Sequence, residues 1–425
     1  MGEVIRRNFL FLSKIVDGKK YRSVSIFSIS SIILNFSNLI SGFLVYKWID
    51  PYFMGIWQSM VLLQTYSSFA RFGVINGMNR ELPFSLGQGD VEKSRKYAET
   101  ALYYNLLNTI IFTIVFISAF SFFKIRDDWY LPLLTIATII LVAFYDSYLL
   151  GTFRANADFD KLSIIQFINA FIKLVSLVFV FFYGFDGFCI REIITIVVLT
   201  AITHFLRPIK VKPKFDLHII KILLKTGFPI FLGSYFFNSA LTIPRLVILK
   251  FGSIESLGFY SPVVTLINAL MILPNSIATY YYPKFAFHLG VTNKKVSLWR
   301  KSKLIHISLV LIGLPVLIFG WFSFPIIVRT FIPRYIESIF LLKIGLIIGL
   351  FSSFKFGFTT LATLKSWKYM AIYIVSFILV QTLFPILFLN FFDTLKAAVL
   401  GQLVAAVFMF GISLFTNYSA AHENE

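Results

Sequence analysis

The chain holds 425 residues, of which 58% are hydrophobic and only 14% charged, with 51 phenylalanines and a formal net charge of +19. A soluble domain carries about 45–50% apolar and about 25% charged residues. The composition therefore excludes a water-soluble globule, a disordered chain and a coiled coil, and leaves a polytopic helical membrane protein. Cys189 is the single cysteine, which excludes a disulfide framework and a thiolate metal site.

A basic N-terminus (Arg6, Arg7, Lys14, Lys19, Lys20, Arg22) precedes the first apolar run, Ser23–Ile49. That run is too long for a signal-peptide core and lacks a small-residue cleavage site, so it is expected to be a signal anchor. Further apolar runs lie near 52–72, 98–122, 129–150, 161–183, 187–206, 224–248, 258–281, 304–328, 337–362, 369–391 and 395–416. Since about 20 apolar residues cross a bilayer as a helix, the pattern predicts an all-α protein of twelve transmembrane helices. Of the 39 Lys and Arg residues, 26 fall on the N-terminus and the even-numbered gaps, and 7 fall in the odd gaps. This bias in short loops predicts that both termini are cytoplasmic. The positive charge is then mostly topology, with attraction to anionic lipid as a side effect. Nucleic acid is not an expected partner, because no basic domain stands clear of the bilayer.

The polar stretch Arg207–Lys221 parts the sixth and seventh runs, with Lys210, Lys212, Lys214 and two prolines ahead of an amphipathic segment (Phe215, Ile219, Ile220 and Leu223 against Asp216, Lys221 and Lys225). It reads either as an interfacial tether or as a solvated linker. The domain expectation is a six-helix lobe over 1–206, a cytoplasmic linker over 207–223 and a second six-helix lobe over 224–425. An offset of 203 residues aligns Ser31 with Ser234, Asn35 with Asn238, Lys47 with Lys250, Gly55 with Gly258 and Leu86-Gly87 with Leu289-Gly290, giving 10 identities over residues 31–87. An offset that spans six helices keeps one orientation, so the lobes are predicted to be parallel repeats around a central cavity, an arrangement suited to alternating access.

Lys47-Trp-Ile-Asp-Pro-Tyr-Phe-Met-Gly-Ile-Trp57 resembles the P-x-x-x-G-x-[WY] turn between the first two helices of polysaccharide exporters in the MOP superfamily. Arg80-Glu-Leu-Pro-Phe-Ser-Leu-Gly-Gln-Gly-Asp90 is similar to the loop after their second helix. Arg245–Tyr260, with Gly258-Phe-Tyr260, resembles the seventh-helix segment that often reads D-R-…-G-x-Y in Wzx-type flippases. Pro244 stands where many relatives carry the Asp before Arg245. The resemblance implies a MOP/MATE-like fold and transbilayer movement of an undecaprenyl-pyrophosphate-linked oligosaccharide, of the O-antigen or related surface polysaccharide (lipopolysaccharide) kind. It also implies a bacterial cytoplasmic (inner) membrane location beside other polysaccharide-assembly membrane proteins, and no cofactor.

Six cations lie inside apolar runs: Arg71, Lys173, Arg191, Arg245, Lys343 and Lys355. An ionisable group in a membrane helix is costly unless it faces water or a partner. Steps of three and four residues place Arg245 with Ser234, Asn238 and Thr242, and Lys173 with Gln166, Asn169 and Ser176. Arg71 falls in the same way with Gln64 and Ser67, and Lys355 with Ser352 and Thr359. Ser31, Asn35, Asn38 and Gly42 make an uncharged stripe. Arg245, Lys173, Arg71 and Lys355 are expected to line a cationic cavity for a pyrophosphate-bearing substrate, with Asn35, Asn38, Asn169 and Asn238 as its polar lining. Lys343 is expected to snorkel, and Arg191 to neutralise Glu192 or lie at the outer surface. Asp146 is open to three roles: pairing with Lys173, capping a helix end or carrying a coupling proton. The absence of acids from the first and seventh runs speaks against the other reading within transport, a MATE-like multidrug antiporter.

The rival from another class is an integral-membrane glycosyltransferase or polymerase. Asp158-Phe-Asp160 spells D-x-D with no nucleotide-binding domain beside it, and Asp127-Asp128 sits in a short loop. Histidines 204, 218, 288, 306 and 422 are scattered, and no P-loop motif occurs. The chain is therefore expected not to be an enzyme and to hold no metal. Prolines at 229, 244, 262, 274, 315, 325 and 385 are expected to kink helices of the second half.

Overall fold

The computed structural model describes residues 26–27, 29–156, 158–278, 281, 285, 289 and 295–423. The basic residues Arg6 to Arg22, the start of the first apolar run, His288, Gly290 and the last two residues lie outside that set. The chain order is α1 (Ile29–Trp48), α2 (Pro51–Ser67), α3 (Val74–Gly87), α4 (Val91–Phe122), α5 (Asp127–Ala155), α6 (Phe159–Val175) and α7 (Leu177–Leu206). After the linker come α8 (Leu217–Ala240), α9 (Ile243–Phe251), α10 (Ile254–Leu270), α11 (Lys295–Phe331), α12 (Ser338–Phe351), α13 (Phe354–Leu364), α14 (Trp367–Phe388) and α15 (Thr394–His422). No strand occurs among the described residues. Among the described residues, ten helical segments are long and apolar enough to cross a membrane, so the chain is a multi-pass membrane protein.

The remaining expected runs are helical but interrupted. The second run falls on α2, of 17 residues, followed by a 3-10 turn over Ser68–Arg71. The fifth falls on α6, also of 17 residues, and the start of α7. The sixth is the remainder of α7, which Gly184 interrupts at φ 55°.

Proline explains two further breaks. Pro244 has no N–H for the carbonyl of Ala240, and the expected seventh helix divides there into α8 and α9. Pro274 likewise has no N–H for Leu270, where α10 ends in a turn at Met271 before helix resumes over 272–278. After the 3-10 turn, Phe72 (φ 42°) and Gly73 (φ 83°) redirect the chain into α3. The freed carbonyl of Ala70 accepts from Tyr104 Oη (2.9 Å) and Asn108 Nδ2 (3.0 Å).

Two compact units result, and they interleave along the chain. The first comprises Met1–Ser41, Ala70–Arg126 and Ala137–Ile230; the second comprises Gly42–Phe69, Asp127–Ile136 and Phe231–Glu425. Several boundaries fall inside continuous helices. In the first unit, α3 and α4 bury Val74, Met78, Leu82, Tyr97 and Ala101 with Tyr148, Ile219 and Leu223. The amphipathic segment thus turns Ile219 and Leu223 into this protein core rather than toward lipid.

A second anchor of that unit is Arg191, which is 3% exposed. Its guanidinium donates to Ser176 Oγ (3.2 Å), to Ser41 Oγ and to the carbonyl of Lys173 (3.1 Å), and it pairs with Glu192 (3.3 Å). The expected neutralisation of Glu192 is therefore one part of a node tying α1, the α6–α7 junction and α7 together.

The second unit is organised by a glycine crossing of α2 and α10. A Cβ added at Gly55 would lie 1.8 Å from the carbonyl oxygen of Ile254, and one at Gly258 would lie 1.7 Å from that of Pro51. Pro51 and Ile254, like Gly55 and Gly258, are 203 residues apart, so the contact is reciprocal under the offset read from the sequence. The same offset relates two identical bonds: Asn35 Nδ2 donates to the Ser31 carbonyl and Asn238 Nδ2 to the Ser234 carbonyl, each at 2.8 Å.

Two stability predictions follow from these contacts. Gly258→Ala should cost about 1–3 kcal/mol by overpacking and Gly258→Leu should abolish assembly, whereas Gly411→Ala, whose added Cβ meets nothing within 4 Å, should be neutral. The check is the thermal midpoint of the detergent-solubilised protein; equal midpoints for the two alanine variants would refute the crossing. Arg191→Ala should cost about 3–5 kcal/mol, because it strands Glu192 and two buried hydroxyls. The same thermal measurement checks it, and unchanged stability would remove the node.

Candidate functional site

Arg245 lies in the first turn of α9, started by Pro244, where a proline's missing N–H is tolerated. It is 9% exposed. Its Nη1 donates to Gln58 Oε1 at 3.2 Å, and no carboxylate lies within ion-pair distance of it among the described residues. The guanidinium carries five N–H donors, so most of its capacity is left over. It lines a cavity of about 220 Å³ with Gln58, Tyr260, Asn268, Gln402 and Thr265.

The wall is itself bonded. Tyr260 Oη donates to Gln402 Oε1 and Tyr46 Oη bonds Thr265 Oγ1 (2.7 Å); outside the lining, Tyr66 Oη bonds Thr242 Oγ1 (2.7 Å). A buried cation without a carboxylate, facing neutral hydrogen-bonding groups, has donors free that an anion can fill. The sequence stripe found Arg245 and Thr242 but missed Gln58, Tyr260 and Gln402. Gly55 and Gly258 of the resembling motifs were the available pointers, since Gln58 and Tyr260 lie three and two residues beyond them.

In the first unit Lys173 is half-buried in α6 and its carbonyl accepts from Arg191. The stripe of Gln166, Asn169, Lys173 and Ser176 is partly a packing surface, because Gln166 Oε1 accepts from Ser30 (2.6 Å) and Ser31 (3.0 Å) while Ser176 holds Arg191. Asn38 Oδ1 and Asn169 Oδ1 are buried without a hydrogen-bond partner.

Arg71 ends the 3-10 turn with its guanidinium over the Phe144 ring (5.9 Å) and its Nε buried and unpartnered. Asp146 does not pair with Lys173. Its Oδ1 accepts from Thr200 Oγ1 at 3.3 Å, and Arg71 and Arg154 are the cations that act on it electrostatically. The helix periodicity placed Asp146 and Lys173 on adjacent helices without fixing how those helices are rotated, and the carboxylate faces α7 instead.

Lys355 follows the break at Ser352–Ser353, with Nζ 5.5 Å from the centroid of Phe237. Lys343 lies over Trp321 at 4.9 Å. Asn35 and Asn238 bond their own helices, and Asn238 is exposed. Of the nine residues singled out, then, Arg245 alone is placed at a described cavity. The others are distributed over the two units, with Arg71, Lys173, Asp146, Asn35, Asn38 and Asn169 in the first and Lys355 and Asn238 in the second.

Solved structures share this fold at low identity. The inward-facing conformation of a multidrug resistance MATE family transporter of the MOP superfamily matches with a TM-score of 0.74 at 14% identity, over 95% of this chain and 100% of that one. The outward-facing conformation of such a transporter gives 0.65 at 15%, over 94% and 96%. A MOP superfamily transporter from Pyrococcus furiosus, with a binding pocket of reverse polarity that suggests a different function for it, gives 0.63 at 15%, over 94% and 96%. The fold is thus the one that these MOP superfamily transporters have. Among curated protein sequences none matches. The profile of one family, described as polysaccharide biosynthesis protein, matches residues 58–340, two thirds of the chain and the whole stretch from Gln58 through Arg245 and Tyr260. The chain is a member of the polysaccharide biosynthesis protein family.

Proposed function

We propose that the protein is a flippase that carries an undecaprenyl-pyrophosphate-linked oligosaccharide, an O-antigen or related surface polysaccharide unit, across the bacterial cytoplasmic membrane by alternating access. The observation that carries this reading is Arg245, buried without a carboxylate in a polar cavity, in a chain of a polysaccharide biosynthesis family. A pyrophosphate supplies the anionic oxygens that the guanidinium lacks, and the charge-assisted bonds are the strong ones. Arg71 and Lys173 within the first unit, and Lys355 within the second, are proposed as further cations for an anionic headgroup, with Asn35, Asn38, Asn169 and Asn238 for sugar hydroxyls.

The second reading, a multidrug antiporter, is favoured by the fold of the MATE structures. A drug cation would need a carboxylate where this cavity has Arg245. In the Pyrococcus furiosus relative a pocket of reversed polarity goes with a suggested different function within the same superfamily, which supports an anionic substrate here. The interrupted segments at α2 and at α6–α7 are proposed to complete twelve spans in two six-helix lobes, 1–206 and 224–425, joined by 207–223, with both termini cytoplasmic.

Export complementation in a deletion strain, at equal membrane abundance, tests the reading. Arg245→Ala and Lys173→Ala should each weaken headgroup binding by the ~1.5–3 kcal/mol of a charge-assisted hydrogen bond, about ten- to a hundredfold. Arg245→Lys should rescue in part and Arg245→Gln little, and Lys343→Ala should do much less. Wild-type surface glycan from both alanine variants with substrate limiting would overturn the cationic mechanism. A deletion strain that keeps its surface polymer would overturn the substrate. For topology, a reporter fused at the C-terminus should be active only in its cytoplasmic form; an external reporter signal would reverse the orientation.

A further inference from the structure

The linker before α8 is not a loose tether. From Ile209 to Lys212 its side chains alternate: Ile209 and Val211 pack on the first unit's core cluster, while Lys210 and Lys212 are exposed. This period of two is that of an extended chain, and it sets alternate residues about 7 Å apart. The strap is pinned along its length. The N–H of Lys214 donates to the Glu99 carbonyl (3.3 Å), and the Phe215 ring lies 5.4 Å from that of Tyr103. Asp216 Oδ1 then accepts from the Ile219 N–H (3.1 Å) and starts α8. Pro208 and Pro213 stiffen it further.

What the strap presents outward is five exposed lysines, Lys210, Lys212, Lys214, Lys221 and Lys225. None of them forms an ion pair among the described residues. Phe215 and Leu217, 56% and 55% exposed, interleave with these ammoniums.

We infer that the strap over 207–225 is a docking surface for the phosphates of anionic phospholipid headgroups, with Lys210, Lys212 and Lys214 as a fixed comb and Phe215 and Leu217 set into the headgroup layer. Charge complementarity argues for the occupant. Unpaired ammoniums beside a membrane-spanning helix attract anionic lipid, each worth roughly a fivefold gain in local binding. Exposed apolar side chains beside basic ones are the composition of a segment that sits at the interface. Because Ile209, Val211, Ile219 and Leu223 hold the backbone, the lysines are displayed without a large ordering cost on binding. The surface does not depend on which glycan is carried.

The test uses the full chain in nanodiscs of zwitterionic phospholipid doped with phosphatidylglycerol bearing a photoactivatable diazirine in its headgroup. Peptide mapping should find the label on 207–225, falling as salt is raised. Combined Lys210→Gln, Lys212→Gln and Lys214→Gln should lower it roughly a hundredfold, and the three corresponding Lys→Arg changes should keep it. A phosphatidylcholine probe with the same diazirine should give only background. Equal labelling of the glutamine variant and the wild type, or of the two probes, would overturn the proposal. Loss in the arginine variant as well would overturn it too, because charge would not then be the determinant.

Discussion

The approach of α2 to α10 at Gly55 and Gly258 is the contact on which the second unit's chemistry depends. In lipid no hydrophobic gain drives helices together, so association rests on packing that small residues permit. Here the permission is absolute, because any Cβ at either glycine would overlap a carbonyl of the partner helix. One turn beyond Gly55 stands Gln58, and two residues beyond Gly258 stands Tyr260. The backbone contact therefore delivers both side chains to the cavity that holds Arg245. Reciprocity under the 203-residue offset means that one local solution, found twice, makes the crossing.

Burial alone does not tell a structural cation from a functional one. Arg191 and Arg245 are both almost fully buried, at 3% and 9% exposure. Arg191 spends its donors on Ser41, Ser176, the Lys173 carbonyl and Glu192, so its charge and its hydrogen bonds are met inside the protein. Arg245 has one neutral amide oxygen and a cavity. The first arrangement holds helices together; the second leaves a charge whose desolvation is uncompensated within the protein.

Much of the architecture was legible because lipid imposes simple rules. Apolar runs had to be helices, and the missing N–H of Pro244 and Pro274 coincides with helix breaks, whereas Pro229, Pro262, Pro315, Pro325 and Pro385 lie inside continuous helices. The stripe through Thr242 and Arg245 followed from helical period. What was illegible required knowing which helix lies against which. Arg191 looked like a surface residue or a partner for its sequence neighbour, since Ser41 is 150 positions away and nothing local ties them. For Asp146 the sequence leaves pairing with Lys173 as one of three open roles, because helix rotation about its own axis is set by tertiary packing, and the carboxylate bonds Thr200 instead. The break at Ser352–Ser353 has neither proline nor glycine, and the one at Phe72 puts a non-glycine residue in the left-handed region, two residues after the Ala70 carbonyl that Tyr104 and Asn108 hold from another helix.

The proposed carrier must release what it binds, and the cavity chemistry is consistent with that need. A carboxylate beside Arg245 would satisfy the guanidinium permanently and leave nothing for a substrate. Several cations in the same cavity would hold a pyrophosphate too firmly to let it go, because binding that is strong at every step stalls movement. A single guanidinium oriented by Gln58 and walled by neutral Tyr260, Gln402 and Asn268 lies between these limits. The amide and phenol groups can exchange bonds with water or with sugar hydroxyls at little net cost. Arg245 is the one charged side chain in the lining of this cavity, and Pro244 beside it, where many flippases that the chain resembles carry an aspartate, brings no carboxylate to satisfy it.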